Sequence, residues 1–318
     1  MNIKEQLSGC LYGYAIGDAL GLGTELMDRE EVRSRYPGGL RDYAHIVRDA
    51  HRAPWKRGQF THDTDVMLAA AHSLADCDGP DPLDYAAKLS DWLQTAKIHD
   101  VSLGLRWIVG NPRFTKEPEA VSHEYYERTR PEISHNEALG RAMIIGLWDD
   151  NLGHNVSTFT RLTHDDPRCV ASGLVIGHMA NHLFWHHKET PFDHLYGICQ
   201  RVDSRAIPYL QLAHDAENID ALNIDDEATS SSSLMTMSVA LWALWHLSEP
   251  LDALYQIVDE GGDADTNASL ALGLMGLKYG YDSLPGKGIE TLLGAEKVQA
   301  ALDRLIPLLE NFAAKRTE

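Results

Sequence analysis

A chain of 318 residues with 44 % hydrophobic content can bury a sizeable core, while its formal charge of −19 argues against the clustered Lys and Arg surface that nucleic-acid binding demands. No stretch is long and apolar enough to span a bilayer, and the opening Met1-Asn2-Ile3-Lys4-Glu5-Gln6 lacks the apolar run of a signal peptide, so a soluble, cytoplasmic protein with no membrane partner is expected. Cys10, Cys77, Cys169 and Cys199 are scattered without CxxC pairing, which fits reduced thiols better than a disulfide framework or a zinc site.

In chain order, Leu7, Leu11, Ala15 and Ala19 recur every four residues and predict a helix over 3–20. Gly9, Gly13 and Gly17 add a small-residue ridge suited to a close helix crossing. Asp18, inside this apolar stretch, needs buried partners. After Glu25 the chain turns charged and irregular through Arg57, with Pro37-Gly38-Gly39 and Pro54, a segment expected to cover part of a site. Helices are predicted over 64–76, 82–96 and 101–109. A Pro- and charge-rich loop follows over 111–134, then helices over 137–148, 167–187, 192–213, 233–246, 250–260, 266–279 and 289–314. The acidic, then serine-rich stretch 215–233 reads as a mobile insertion. No stretch alternates polar and apolar residues for long, and no shift in composition marks a boundary. An all-α orthogonal helical bundle, a single domain over 1–318, is the expectation.

Two loops carry chemistry. Glu260-Gly261-Gly262-Asp263-Ala264-Asp265-Thr266-Asn267 sets two carboxylates and a hydroxyl behind a glycine pair and ahead of an apolar helix. Gly58-Gln59-Phe60-Thr61-His62-Asp63-Thr64-Asp65 repeats the arrangement of hydroxyl and carboxylate ahead of another apolar helix. Read singly, the first loop is an Asp helix cap with a second Asp complementing the helix dipole. Read together, Thr61, Asp63, Asp263, Asp265 and Thr266 supply enough hard oxygens for two neighbouring hexacoordinate dications, Mg²⁺ or Mn²⁺, with Asp265 as a bridge. Carboxylates gathered in this way repel one another unless metal or protons neutralise them, and metal is the simpler explanation.

Three segments, GYAIGDALGLGTE (13–25), GQFTHDTDVML (58–68) and GGDADTNASLALG (261–273), resemble in order and spacing those of the ADP-ribosylglycohydrolase family. Asn136-Glu137-Ala138-Leu139-Gly140-Arg141 is similar to the family's NGAxMR loop, and Thr163-His164-Asp165-Asp166-Pro167-Arg168 to its TH-x-DPR turn. The chain departs at two places, with His62 where the family has a carboxylate and Glu137 where it has a glycine. The resemblance implies hydrolysis of the bond between the anomeric carbon of ADP-ribose and a protein or small-molecule acceptor. It gives Glu25 and Asp63 the catalytic roles, as metal ligand, gate or base, and gives Asn136 and His164 contacts to the adenosine diphosphate. His62, between two expected ligands, is either a metal ligand itself, which would favour Mn²⁺, Fe²⁺ or Zn²⁺ over Mg²⁺, or points away, or hydrogen-bonds a bound water. Two other readings are a catalytically impaired ADP-ribose-binding scaffold and an HD-type metal phosphohydrolase, the latter leaving the GGDADT loop unexplained.

Overall fold

The computed structural model describes residues 1–96, 99 and 101–316. Its helices are α1 (Ile3–Gly21), α2 (Arg29–Arg35), α3 (His62–Asp76), α4 (Pro82–Thr95), α5 (Leu103–Val109), α6 (Pro118–Thr129), α7 (Leu139–Gly146) and α8 (Leu152–Arg161). The second half holds α9 (Pro167–His186), α10 (Phe192–Val202), α11 (Ile207–Asp215), α12 (Ser233–His246), α13 (Pro250–Glu260), α14 (Ala264–Tyr279), α15 (Gly286–Glu290) and α16 (Ala295–Arg316). Among the described residues there is no strand, only two isolated bridges, Gln59 with Leu293 and His135 with Ser232. The all-α bundle expected from the pattern is what forms. No described helix is long and apolar enough to cross a membrane.

Helices α1 and α14 form the axis. Nearly every residue of both is buried, so neither shows a polar stripe, and α12, α13 and α16 pack around them. Their contact is close because glycines face backbone. A Cβ on Gly17 would lie 2.4 Å from the carbonyl carbon of Ala268, and one on Gly21 2.4 Å from the Cα of Asp265. The predicted ridge at positions 9, 13 and 17 therefore does more than pack, since with Gly21 it brings the first turn of α14 against the end of α1. Gly17→Ala should cost about 3 kcal/mol in chemical denaturation, because backbone rather than a flexible side chain would have to move. A midpoint within experimental error of the parent would contradict this packing.

Caps fix several helix starts. Asn2, Thr61, Asp81, Asp166 and Ser232 each accept a backbone N–H in the first turn of the helix that follows, with Pro82 and Pro167 next in line at two of them. The expected loop over 111–134 instead contains α6, which starts at Pro118 and buries Val121 and Ser122. α8, unforeseen, follows the left-handed Asn151. The helix expected over 192–213 breaks at Asp203, whose side chain caps a short 3-10 turn ahead of Pro208. The one expected over 289–314 is interrupted at Gly294, φ +97°, where a Cβ would meet the Phe60 ring. In the acidic and serine-rich stretch 215–233, Ile219, Leu222 and Ile224 are buried, so it packs as part of the core.

Candidate active site

The site begins with the glycine pair after α13. Gly261 and Gly262 both adopt positive φ, +78° and +66°; a Cβ would lie 2.2 Å from the Met27 carbonyl oxygen at the first and 2.1 Å from that of Ile224 at the second. This close approach lets the Leu26 N–H donate to the Gly262 carbonyl and the Gly262 N–H to the Met27 carbonyl, each at 2.8 Å. The rung lays the chain after Glu25 alongside the start of α14. Glu25, Asp263 and Asp265, all buried, consequently offer carboxylate oxygens that lie within 4.8 Å of one another.

The second loop arrives through Asp18. Its carboxylate, fully buried on α1, accepts the Thr61 N–H at 2.8 Å, the Thr64 N–H at 3.1 Å and the Thr64 hydroxyl at 2.6 Å. These are groups at the N-terminus of α3 that would otherwise lack an acceptor. With α3 so anchored, Asp63 reaches α14, and its Oδ2 accepts the Thr266 hydroxyl at 2.6 Å. The loops at 58–65 and 260–267 thus meet. Thr61 is buried as the α3 cap, while Asp65 turns outward to Lys297 and the Trp92 indole. Asn136 is buried and donates to Asp263 Oδ2 at 2.9 Å and to the Thr236 hydroxyl at 2.8 Å, so in this structure it holds a site carboxylate.

His62, Glu137 and His164 lie along one edge. His62 Nε2 is 3.4 Å from Asp63 Oδ1 and 3.4 Å from Glu137 Oε1, and His164 Nε2 is 3.4 Å from Glu137 Oε2. Burial works against a charged His62, but Asp63 and Glu137 more than offset it and push its pKa up to about 10. Burial also works against a charged Glu137, yet the two histidines hold it well below the usual carboxylate range. His164 is lowered by burial, with Arg141 adding to the effect. Asp63 is pushed up to about 7 by burial, and Asp265 well above its ordinary value by burial and then by Glu25, Asp263 and Asp63.

The buried carboxylates of Glu25, Asp263 and Asp265 form an all-oxygen cluster strained by like charge, of a kind that could hold a hard dication. Both His62 ring nitrogens are buried without a hydrogen-bond partner among the described residues, beside Asp63 and Glu137. Residues without a motif complete the surroundings. His51, from the irregular segment after Glu25, sits 2.7 Å from Glu25 Oε2, and the neighbouring Arg52 is buried against the carbonyls of Leu22, Gly23 and Glu25. No sequence signal marked His51 beyond its place in a segment expected to cover the site. Arg141, on α7, binds no site carboxylate; it donates to the carbonyls of Phe159 and Thr160 and to the Thr163 hydroxyl.

The chain matches the ADP-ribosylglycohydrolase family over residues 1–316. It belongs to that family. It is 28 % identical over 296 residues to the ADP-ribosyl-[dinitrogen reductase] glycohydrolase of Rhodospirillum rubrum, a match covering 92 % of this chain and 91 % of that one. To the ADP-ribosylarginine hydrolase Tri1 of Serratia proteamaculans it is 23 % identical over 311 residues, 95 % of this chain and 79 % of the relative. A solved chain of an ADP-ribosylglycohydrolase-related protein complex shares the fold with a TM-score of 0.70 at 19 % identity, covering 96 % of this chain and 99 % of its own length. The family resemblance carried by the three glycine-rich and acidic segments is therefore met over nearly the whole chain, and the protein is an enzyme of the glycohydrolase class.

Proposed function

We propose that this glycohydrolase cleaves the glycosidic bond between ADP-ribose, or a related ribosyl group, and a protein or small-molecule acceptor, with the help of two divalent cations, Mg²⁺ or Mn²⁺. The observation that carries the reading is the meeting of the two distant loops, with Asp63 accepting the Thr266 hydroxyl beside the Glu25, Asp263 and Asp265 carboxylates. Glu25, Thr61, Asp63, Asp263, Asp265 and Thr266 would hold the cations, with His62 as the nitrogen at the edge of the set. The cations would neutralise the carboxylates and polarise ligand oxygens, among them the ribose hydroxyls.

The chain's own groups supply the rest. Hydrolysis at an anomeric carbon needs a carboxylate to take the proton of the attacking water as the bond loosens towards an oxocarbenium ion. Glu25 and Asp63 are the two candidates, approaching from different segments. Asn136 keeps Asp263 turned inward, and His164 lines the edge where the diphosphate is expected. Four unpaired cysteines are consistent with work in the cytoplasm.

The test is release of ADP-ribose from an arginine-linked protein conjugate, the linkage named for the Serratia relative. Release with Mn²⁺ or Mg²⁺ that stops in EDTA is the expected result. Binding of ADP-ribose without release from arginine-, serine- or nucleic-acid-linked conjugates would make the chain a binding scaffold instead.

A further inference from the structure

Beside the acidic cluster runs a second line of polar groups, of which Arg141, Thr163 and Glu137 are left without a task by the hydrolysis scheme. It starts at Arg141, fully buried on α7, which donates to the Thr163 hydroxyl. Thr163 Oγ1 lies 2.7 Å from His164 Nδ1, and Arg141 Nη2 lies 3.4 Å from the same nitrogen. A guanidinium has only hydrogens to offer, so its approach makes Nδ1 an acceptor and places the ring proton of His164 on Nε2. That nitrogen is 3.4 Å from Glu137 Oε2. The other oxygen, Oε1, is 3.4 Å from His62 Nε2, which in turn lies 3.4 Å from Asp63 Oδ1. Asp63 closes the line through the Thr266 hydroxyl.

Glu137 is the only member of this line with a histidine on each side, and it is itself held. The Ser102 N–H donates to its Oε1 at 3.1 Å and the Ser102 hydroxyl to its Oε2 at 2.7 Å, from the cap of α5. The carboxylate therefore cannot swing, and the two imidazoles settle against a fixed object. Neither buried ring nitrogen of His62 makes a hydrogen bond, so its ring plane is set by its two carboxylate neighbours at 3.4 Å, and without Glu137 only Asp63 of that pair would remain.

We propose that Glu137 is a positioning residue: clamped by Ser102, it sets the His62 ring against Asp63 and so fixes the Asp63 side of the cation site, while orienting His164 through its Nε2–H. The proposal rests on the reading of Asp63 as part of that site. It also accounts for the two departures from the family pattern together, since the histidine at 62 and the carboxylate at 137 are each other's neighbours.

The experiment is a double-mutant cycle on Mn²⁺ affinity, using Glu137→Ala and His62→Ala singly and together. Glu137→Ala is expected to weaken Mn²⁺ binding about tenfold, as loss of a group that orients a metal-site residue does. In the His62→Ala background the same change should matter less than about twofold. If Glu137→Ala weakens Mn²⁺ equally in both backgrounds, its charge acts directly through space and the positioning role is overturned. Ring ¹⁵N spectra of the histidines provide a readout independent of metal and activity. The parent should show His164 as the Nε2–H tautomer, and Glu137→Ala should shift both the His62 and His164 ring signals. Unshifted His62 signals would overturn the proposal even in a protein that binds no Mn²⁺, whereas shifted signals without Mn²⁺ binding would sustain the clamp and remove the cation reading alone. Glu137→Gln, which keeps the volume and one acceptor oxygen, should show the same coupling and stands in if the alanine variant does not fold.

Discussion

Asp265→Asn is expected to lower ADP-ribose release on the order of 10³-fold while raising the melting temperature of the metal-free protein. The two effects have one cause. Asp265 offers a carboxylate oxygen within 4.8 Å of those of Glu25 and Asp263, and burial together with those charges and Asp63 makes its ionised form costly. Replacing it with a neutral isostere removes a repulsion that, on the proposed reading, a bound cation would otherwise offset. The parent protein should show the same conflict in its pH dependence. Asp63 has a folded pKa of about 7, raised from 3.8, so between those values the native state retains a proton that the unfolded chain has released. Stability in EDTA must then fall as pH rises from about 4 to 7. Saturating Mn²⁺ should flatten that slope, because it selects the ionised site, and should raise the melting temperature of the parent but not of the variant. If Asp265→Asn instead melts lower than the parent in EDTA, the carboxylate serves as a structural acceptor and the cation site has been misplaced.

What could be read from the chain alone followed the range of the interaction involved. Helices α12 and α13 occupy the predicted 233–246 and 250–260 because their ends are set by neighbouring residues, Ser232 as a cap and Pro250 in the first turn. The glycine ridge at 9, 13 and 17 announced a close crossing, but only the fold names α14 as the partner and adds Gly21. α6 and α8 were missed because their composition resembles loop, and packing against the core outweighs weak propensity. At the site, the two acidic loops were recognisable by residue type and helix-start position. Their contact through Asp63 and Thr266 spans most of the chain, and nothing local encodes it. The same holds for His62 and Glu137, which stood out separately as oddities and become a pair only when α3 and the segment before α7 are brought together. His51 carried no mark at all, since its significance lies wholly in reaching Glu25.

Asp18→Ala should destabilise the protein by about 3–5 kcal/mol, the opposite sign to the change at Asp265 although both are buried carboxylates on neighbouring helices. Two terms compete at Asp18. Burial disfavours its charged form, and its removal would relieve that; against this stand hydrogen bonds from the Thr64 hydroxyl and from the N–H groups of Thr61 and Thr64. Burial leaves the Asp18 pKa raised in spite of those bonds, so the loss in the alanine variant comes from the buried donors left without an acceptor, at about 1–3 kcal/mol each. Asp265 has fewer such ties: the bond to its side chain is from the adjacent Thr266 N–H, which an asparagine oxygen can still accept. The consequence extends to chemistry, because α3 is held to α1 at the turn that carries Thr61, His62 and Asp63. Asp18→Asn, which retains one acceptor oxygen, should lose roughly half as much stability and stay folded, leaving it available for Mn²⁺ titration. Its affinity should fall with its stability, since the same bonds place Asp63 opposite Thr266. A variant with intact Mn²⁺ binding and a lowered melting temperature would separate the two, and would mean that the start of α3 is positioned by α14 rather than by Asp18.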